Sequence, residues 1–203
     1  MAKVRSDTGI LDKIKAYERG MIFFPEDFDD LGSAEAIRQT LHRLHKKGYL
    51  VRLAHGIYLY PNHDKELGIL YPSAEEVAKA IARRDHARIV PTGIHALNKL
   101  GLSSQVPMNI IYLTDGAPRK VQIGKRSIKF KKTTPRNLMA KGEISSLVIQ
   151  ALRAIGKDNL TKEQRARIHE LLQKEKPENI THDAKLAPAW IAKIMKDTHD
   201  NRK

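Results

Sequence analysis

The fold is restricted most by residues 33–61, where one periodicity gives way abruptly to another. Ser33 stands where a helix N-cap is needed, and AEAIRQTLHRLHKKG follows, closed by Gly48. At 100° per residue Ile37, Leu41 and Leu44 share one face with Ala34 beside them, which predicts an amphipathic helix packed on that side. Lys46 and Lys47 suit the negative end of its dipole. The opposite face carries Gln39, His42, Arg43 and Lys46. The next residues, YLVRLAHGIYLYP, change to strand character: Tyr49–Leu53 and Ile57–Tyr60 flank Ala54-His55-Gly56, which predicts a hairpin with a short loop.

The preceding residues supply two shorter helices. Thr8 can cap a helix with Ile10, Leu11, Ile14 and Tyr17 on its apolar face, ended by Gly20. Met21–Phe24 is a short apolar run of strand type. Pro25, Glu26 and Asp27 open a second helix, with Phe28 and Leu31 toward the core and Gly32 at its end. Helix, helix, basic helix and hairpin is the order of a winged helix-turn-helix, expected over residues 1–62. In such a unit the third helix reads the major groove and the hairpin touches the backbone or minor groove. Ser33, Arg38, Gln39, His42, Arg43 and Lys46 are the candidate DNA-binding residues of the helix, and Arg52 and His55 those of the wing.

Beyond a polar stretch at His63–Gly68, read as a linker, a second domain is expected over 69–203. Ser73 and Glu76 form a capping box before a helix at Ala74–Arg84. Ala87–Val90 reads as a buried strand, Ile94–Leu100 as a helix and Asn109–Thr114 as an apolar strand. Val121–Ile123 and Ser127–Phe130 read as a hairpin around Gly124-Lys125. Three helices follow: Glu143–Ile155, then Lys162–Lys174 with Thr161 and Gln164 as a capping box, then His182–Met195 kinked at Pro188. The predicted class is α+β, an N-terminal winged helix-turn-helix followed by a mixed α/β domain that ends in helices.

Charge points to a polyanionic partner. The chain carries a formal net charge of +14. Residues 119–136 hold 8 basic residues and no acid, more than half the excess in one short segment. A general solubility charge would be spread more evenly. The segment has two readings: lysines guarding an exposed edge strand against aggregation, or a second phosphate-contacting surface. Eight cations without an acid exceed what edge protection needs. Lys125, Arg126, Lys129 and Lys131 are therefore candidate DNA contacts, with Lys129 and Lys131 alternating with apolar Ile128 and Phe130.

Other classes are thinly supported. There is no cysteine, so disulfides and thiolate metal sites are excluded. No apolar run reaches the roughly 18 residues of a membrane span, and MAKVRSDTGI lacks a signal-peptide core. A cytoplasmic location is expected. His42 and His45 lie three apart, without a third ligand at metal spacing. Asp183-Ala184-Lys185 matches half of a nuclease motif, but on a predicted helix. Walker, G-x-G-x-x-G and G-x-S-x-G motifs are missing. No catalytic residue, metal or cofactor is expected, and the chain is read as no enzyme.

Two stretches resemble the AbiEi-type antitoxins of type IV toxin–antitoxin, or abortive-infection, systems. One is Ile22–Tyr60, above all the G-Y-L-x-R-x-x-x-G-I-Y wing from Gly48 to Tyr58. The other is PTGIHALNKLGLSSQVPMNIIYLTDGAPRKVQIGKRSIKFK, from Pro91 to Lys131. Residues after Gly142 carry no motif of that family. The resemblance implies a repressor that binds operator DNA and autoregulates its operon. It also implies a C-terminal domain that contributes to DNA binding and counters a nucleotidyltransferase toxin without a stable complex. The expected partner is thus double-stranded operator DNA, with no membrane role. An alternative is a basic nuclease targeted by the winged helix. Another is an RNA-binding or protein-interaction module whose C-terminal helices clasp a partner.

Overall fold

The computed structural model describes residues 2–200, with side chains over 8–198. It is a mixed α+β structure with helices at its C-terminal end. The chain divides into two compact units, residues 1–84 with 122–124 and residues 85–121 with 125–203.

The first unit begins with α1 (Ala2–Lys15), β1 (Ile22–Phe23), a 3-10 helix (Pro25–Leu31) and α2 (Ala34–Lys46). The hairpin of β2 (Val51–Ala54) and β3 (Ile57–Leu59) follows. β1 joins it on the far side of β3, giving an antiparallel sheet of order β1-β3-β2 with Ile22 opposite Leu59 and Arg52 opposite Tyr58. Ile10 and Ile14 of α1, Phe28 of the 3-10 helix, and Ile37, Leu41 and Leu44 of α2 bury together with Leu50. Fully burying a side chain of this kind is worth about 1.5–3 kcal/mol, so burial of the apolar face adds to a sequence already rich in good helix formers. Gly48, at φ +78°, ends it in a conformation that favours glycine.

Several local expectations are corrected. Thr8 lies inside α1 and is not its N-cap, because the helix begins at Ala2. Tyr17 falls beyond the helix end and is exposed. On α2 the flank assigned to Ala34 is exposed, and Thr40 is buried instead, at 1% exposure. The turn of the β2–β3 hairpin is His55-Gly56 alone, since Ala54 pairs with Ile57, and Gly56 at φ +68° makes the tight reversal. Residues 62–70 are a second hairpin, β4 (Asn62–Asp64) with β5 (Gly68–Leu70), where a linker was expected. Asp64 caps that turn by accepting the N–H groups of Glu66 and Leu67. The helix α3 (Ala74–Arg84), opened by the Ser73–Glu76 capping box, belongs to this unit.

The second unit contains β6 (Ile89–Thr92), α4 (Ile94–Lys99), β7 (Asn109–Thr114), the first three residues of β8 (Arg119–Ile123) and β9 (Arg126–Lys132). Helices α5 (Glu143–Ile155), α6 (Lys162–Leu172), α7 (Pro177–Ala184) and α8 (Ala189–Asp200) complete it. The sheet order is β6-β7-β9-β8, with β7 antiparallel to β6 and parallel to β9. Ile110 and Tyr112 of β7 with Ile128 and Phe130 of β9 are buried on one face. His95 of α4 meets that face, its Nε2 lying 3.2 Å from the Tyr112 hydroxyl. The helices bury Val148, Leu152, Ile168, Leu172, Ile180, Ile191 and Met195 against one another. The single kinked C-terminal helix expected over 182–195 is two helices, α7 and α8, with Pro188 in the break between them.

Two carboxylates anchor the start of α5. Asp183, fully buried, accepts the N–H groups of Lys141 (2.8 Å) and Gly142 (2.9 Å), the hydroxyl of Ser145 and Nδ1 of His182 (2.7 Å). Glu175 accepts the Ile144 N–H at 3.0 Å and the Asn179 amide at 3.0 Å. Unsatisfied N–H groups at a helix start need acceptors, and a negative charge there is favourable. Here both come from more than thirty residues downstream.

Candidate nucleic-acid interface

In the first unit the candidate residues lie on α2 and on the β2–β3 turn. Ser33 caps α2, its Oγ accepting the Ala36 N–H at 3.3 Å. Its part in the fold is therefore defined, and its hydroxyl proton can still donate. Arg38, Gln39, His42 and Lys46 are exposed along the helix side opposite Ile37, Leu41 and Leu44. Gln39 donates to Glu35 at 3.1 Å, a surface contact that water or a base edge can replace. Arg43 is different. It is half-buried, and its Nη2 donates to the Thr40 hydroxyl at 2.8 Å. Part of its guanidinium is spent inside the protein. His45 faces inward, Nδ1 donating to the Leu50 carbonyl at 3.1 Å, which separates its role from that of exposed His42.

At the hairpin tip Arg52 and His55 are exposed and joined to each other. The Arg52 Nη2–H donates to His55 Nδ1 at 3.0 Å and its Nε–H to the Ala54 carbonyl at 3.4 Å. The contacts fold the Arg52 side chain back along the turn, so a cation and an imidazole are presented together.

In the second unit β9 is an interior strand, lying between β7 and β8. Edge protection therefore does not explain its lysines, since the edges of this sheet are β6 and β8. In register, Ile111 pairs with Lys129 and Leu113 with Lys131. Val90 continues the second row beside Leu113, and Thr92 the first beside Ile111. The sheet face away from buried Tyr112 and Phe130 thus carries half-buried aliphatics with two exposed ammonium groups. Lys125 and Arg126 are exposed at the β8–β9 turn, and Lys132 ends β9. None of Lys125, Arg126, Lys129, Lys131 and Lys132 has an ion-pair partner among the described residues. Of the other cations in the segment, Arg119 pairs with Asp85, and Arg136 donates to the Lys185 carbonyl at 2.9 Å.

Two other features carry less of the electrostatic argument. A cleft of about 240 Å³ in the first unit is bounded by Phe24, Phe28, Asp27, Lys13, Arg83 and Arg84. Two of its cations are engaged at home: Arg84 lies 4.5 Å from the Phe24 ring centre, and Lys13 pairs with Asp30 at 2.7 Å. Asp183, the acid of the nuclease-like triplet, is sealed in the α5 anchor and has no open face for a metal. Asp115 is held by the Arg88 side chain and amide, each at 2.8 Å, and these hydrogen bonds lower its carboxyl below the ordinary range.

A model described as a family of unknown function (DUF6088) matches residues 9–180. The chain belongs to this family. No curated protein matches it. Among solved structures it is similar to the RV2827C protein from Mycobacterium tuberculosis, at 12% identity and a TM-score of 0.42, over 96% of this chain and 80% of that one. In this DUF6088 chain, sequence reasoning missed Thr40 as the anchor of Arg43, although a hydroxyl three residues before an arginine on a helix is a readable signal. No helix of the described residues is long and apolar enough to cross a membrane.

Proposed function

We propose that the chain is a sequence-specific DNA-binding repressor whose first unit is a winged helix-turn-helix. The observation that carries this reading is the sheet order β1-β3-β2 beside α2, with Arg38, Gln39, His42 and Lys46 exposed on the helix and Arg52 and His55 at the hairpin tip. A helix of this width enters a major groove, and its amide and guanidinium groups match base edges. The exposed tip of the hairpin is then placed for the neighbouring backbone.

The lysine-bearing face of the second unit supports added phosphate contacts. With the resemblance to AbiEi-type antitoxins, the fuller proposal is an autoregulating antitoxin of a type IV system. It would oppose a nucleotidyltransferase toxin without a stable complex. The test is fluorescence anisotropy with the duplex upstream of its own gene against a scrambled duplex and a matched RNA. The reading expects the upstream duplex to win by roughly 10³-fold or more. Equal affinity for all three would overturn it. Growth rescue from a co-expressed neighbouring nucleotidyltransferase tests the antitoxin part separately.

A further inference from the structure

A small pit in the second unit brings two arginines together without an acid. It is lined by Arg136, Asn137, Ser146, Gln150 and Arg153, with Ala140, Ile149 and Leu186 supplying apolar wall. Ser146, Gln150 and Arg153 follow one another at i, i+4 and i+7 on α5, so the helix presents them on one stripe. Each guanidinium is fixed by one hydrogen bond to a neutral acceptor. Arg136 Nη2 donates to the Lys185 carbonyl at 2.9 Å, and Arg153 Nη1 to Asn137 Oδ1 at 2.7 Å. The remaining N–H groups have no carboxylate partner among the described residues. Burial, and then the like charge of Arg136, push the Arg153 guanidinium below its ordinary value.

Gln150 adds an independent sign. The residue as a whole is only 3% exposed and lines the pit. No side-chain N or O atom among the described residues is both buried and unpartnered, so the Gln150 amide, which has no protein partner there, stays open to solvent. An accessible amide without a protein partner is free to hydrogen-bond an oxygen that enters the pit. The space open to a water-sized group is about 10 Å³, room for one oxygen atom and not for a sugar or a base.

We propose that this pit is a binding site for a terminal phosphate group, either free phosphate or a phosphomonoester. One phosphate oxygen sits in the pit against the Gln150 amide and the Ser146 hydroxyl. The others lie at the rim between the two guanidiniums, whose planar forks suit tetrahedral oxyanions. Two uncompensated cations match a dianion better than the single charge of a backbone phosphodiester. The site uses no residue of α2 or β9, so it stands whether or not the chain reads duplex DNA.

The test is calorimetric titration of the full chain, in chloride buffer, with inorganic phosphate, adenosine 5′-monophosphate, adenosine and 3′,5′-cyclic adenosine monophosphate. Phosphate or the monophosphate should bind, and adenosine should not. A free-phosphate site would prefer the inorganic ion; a monoester site would take both. R136A and R153A should each weaken binding at least about tenfold, equivalent to about 1.4 kcal/mol. R153K should fail to restore it. Q150L keeps the size of the side chain and should weaken binding in a protein of unchanged melting temperature, which covers the case of an arginine variant that does not fold. The double variant K129Q/K131Q should bind phosphate as the parent does. No binding of phosphate or of the monophosphate, equal affinity in the pit variants, or a cyclic diester bound as well as the monoester would overturn the proposal.

Discussion

Replacing Lys129 and Lys131 together with glutamine isolates the electrostatic role of the interior strand β9. Both side chains are exposed, while Ile128 and Phe130 beside them are buried and stay unchanged. The main-chain pairing to β7 is untouched, so the cost in stability should be within about 0.5 kcal/mol per site. If each ammonium neutralises one phosphate, the log–log salt slope of duplex binding should shrink by about 1.8. Between 50 and 200 mM salt the parent should then lose about twelvefold more affinity than the variant. Anisotropy across a salt series measures the slope, and a urea melt verifies the fold. A folded variant with the parental slope would refute phosphate contact by this face, leaving α2 and the β2–β3 hairpin as the whole interface.

Other perturbations separate binding from folding. Arg52→Ala should flatten the salt slope by about 0.9 on all sequences alike, whereas Gln39→Ala should reduce preference for the operator over random duplex, by about 1–3 kcal/mol if a bidentate base contact is lost; competition binding distinguishes them. Asp183→Ala strands the Lys141 and Gly142 N–H donors at the start of α5, at about 1–3 kcal/mol each, and should lower stability by several kcal/mol in a urea melt without moving the salt slope. Burial works to raise this carboxyl, and the hydrogen bonds from His182, Ser145, Lys141 and Gly142 outweigh it, so it lies below the ordinary range. Its stabilisation is therefore present above the unfolded value near about 3.9 and lost as pH falls through the lower folded value. Acid melts of the parent should show this loss and those of Asp183→Asn should not. Gly142→Ala would drive a methyl into the Glu175 carboxylate and toward Ser145 Oγ, 2.5 Å away, and should cost about 1–3 kcal/mol by the same melt.

What could be read from the sequence was local. α5 is found at Glu143–Ile155 and β7 at Asn109–Thr114, as their periodicities require. The Ser73–Glu76 and Thr161–Gln164 capping boxes form as their spacing implies. The interior place of β9 was not legible. It depends on parallel pairing with β7 across the whole of β8, and no short-range pattern encodes sheet order. The α5 anchor was hidden for the same reason, since Asp183 reaches Gly142 over 41 residues. Thr8 misled because a good capping residue also tolerates a helix interior when the helix starts earlier. The hairpin at 62–70 was lost among polar residues because its strands bury almost nothing. At the site, the exposure of Arg38, Gln39, His42 and Lys46 followed from helical angle alone. The inward tie of Arg43 needed the position of Thr40.

The interior place of β9 also bears on which alignment of the sheet is allowed. Strand side chains alternate in direction, so sliding β9 by one residue against β7 would exchange the two sets completely. Ile128 and Phe130 would turn out to water, and Lys129 and Lys131 would enter the layer now filled by Ile110 and Tyr112. Two ammonium groups would then be buried without counter-ions, a penalty no alternative ladder recovers. An edge strand could escape by peeling away, but a strand with partners on both sides cannot. The lysines thus mark the correct alignment by making its nearest competitor untenable. Valine at both positions would blur that distinction, where glutamine keeps most of it.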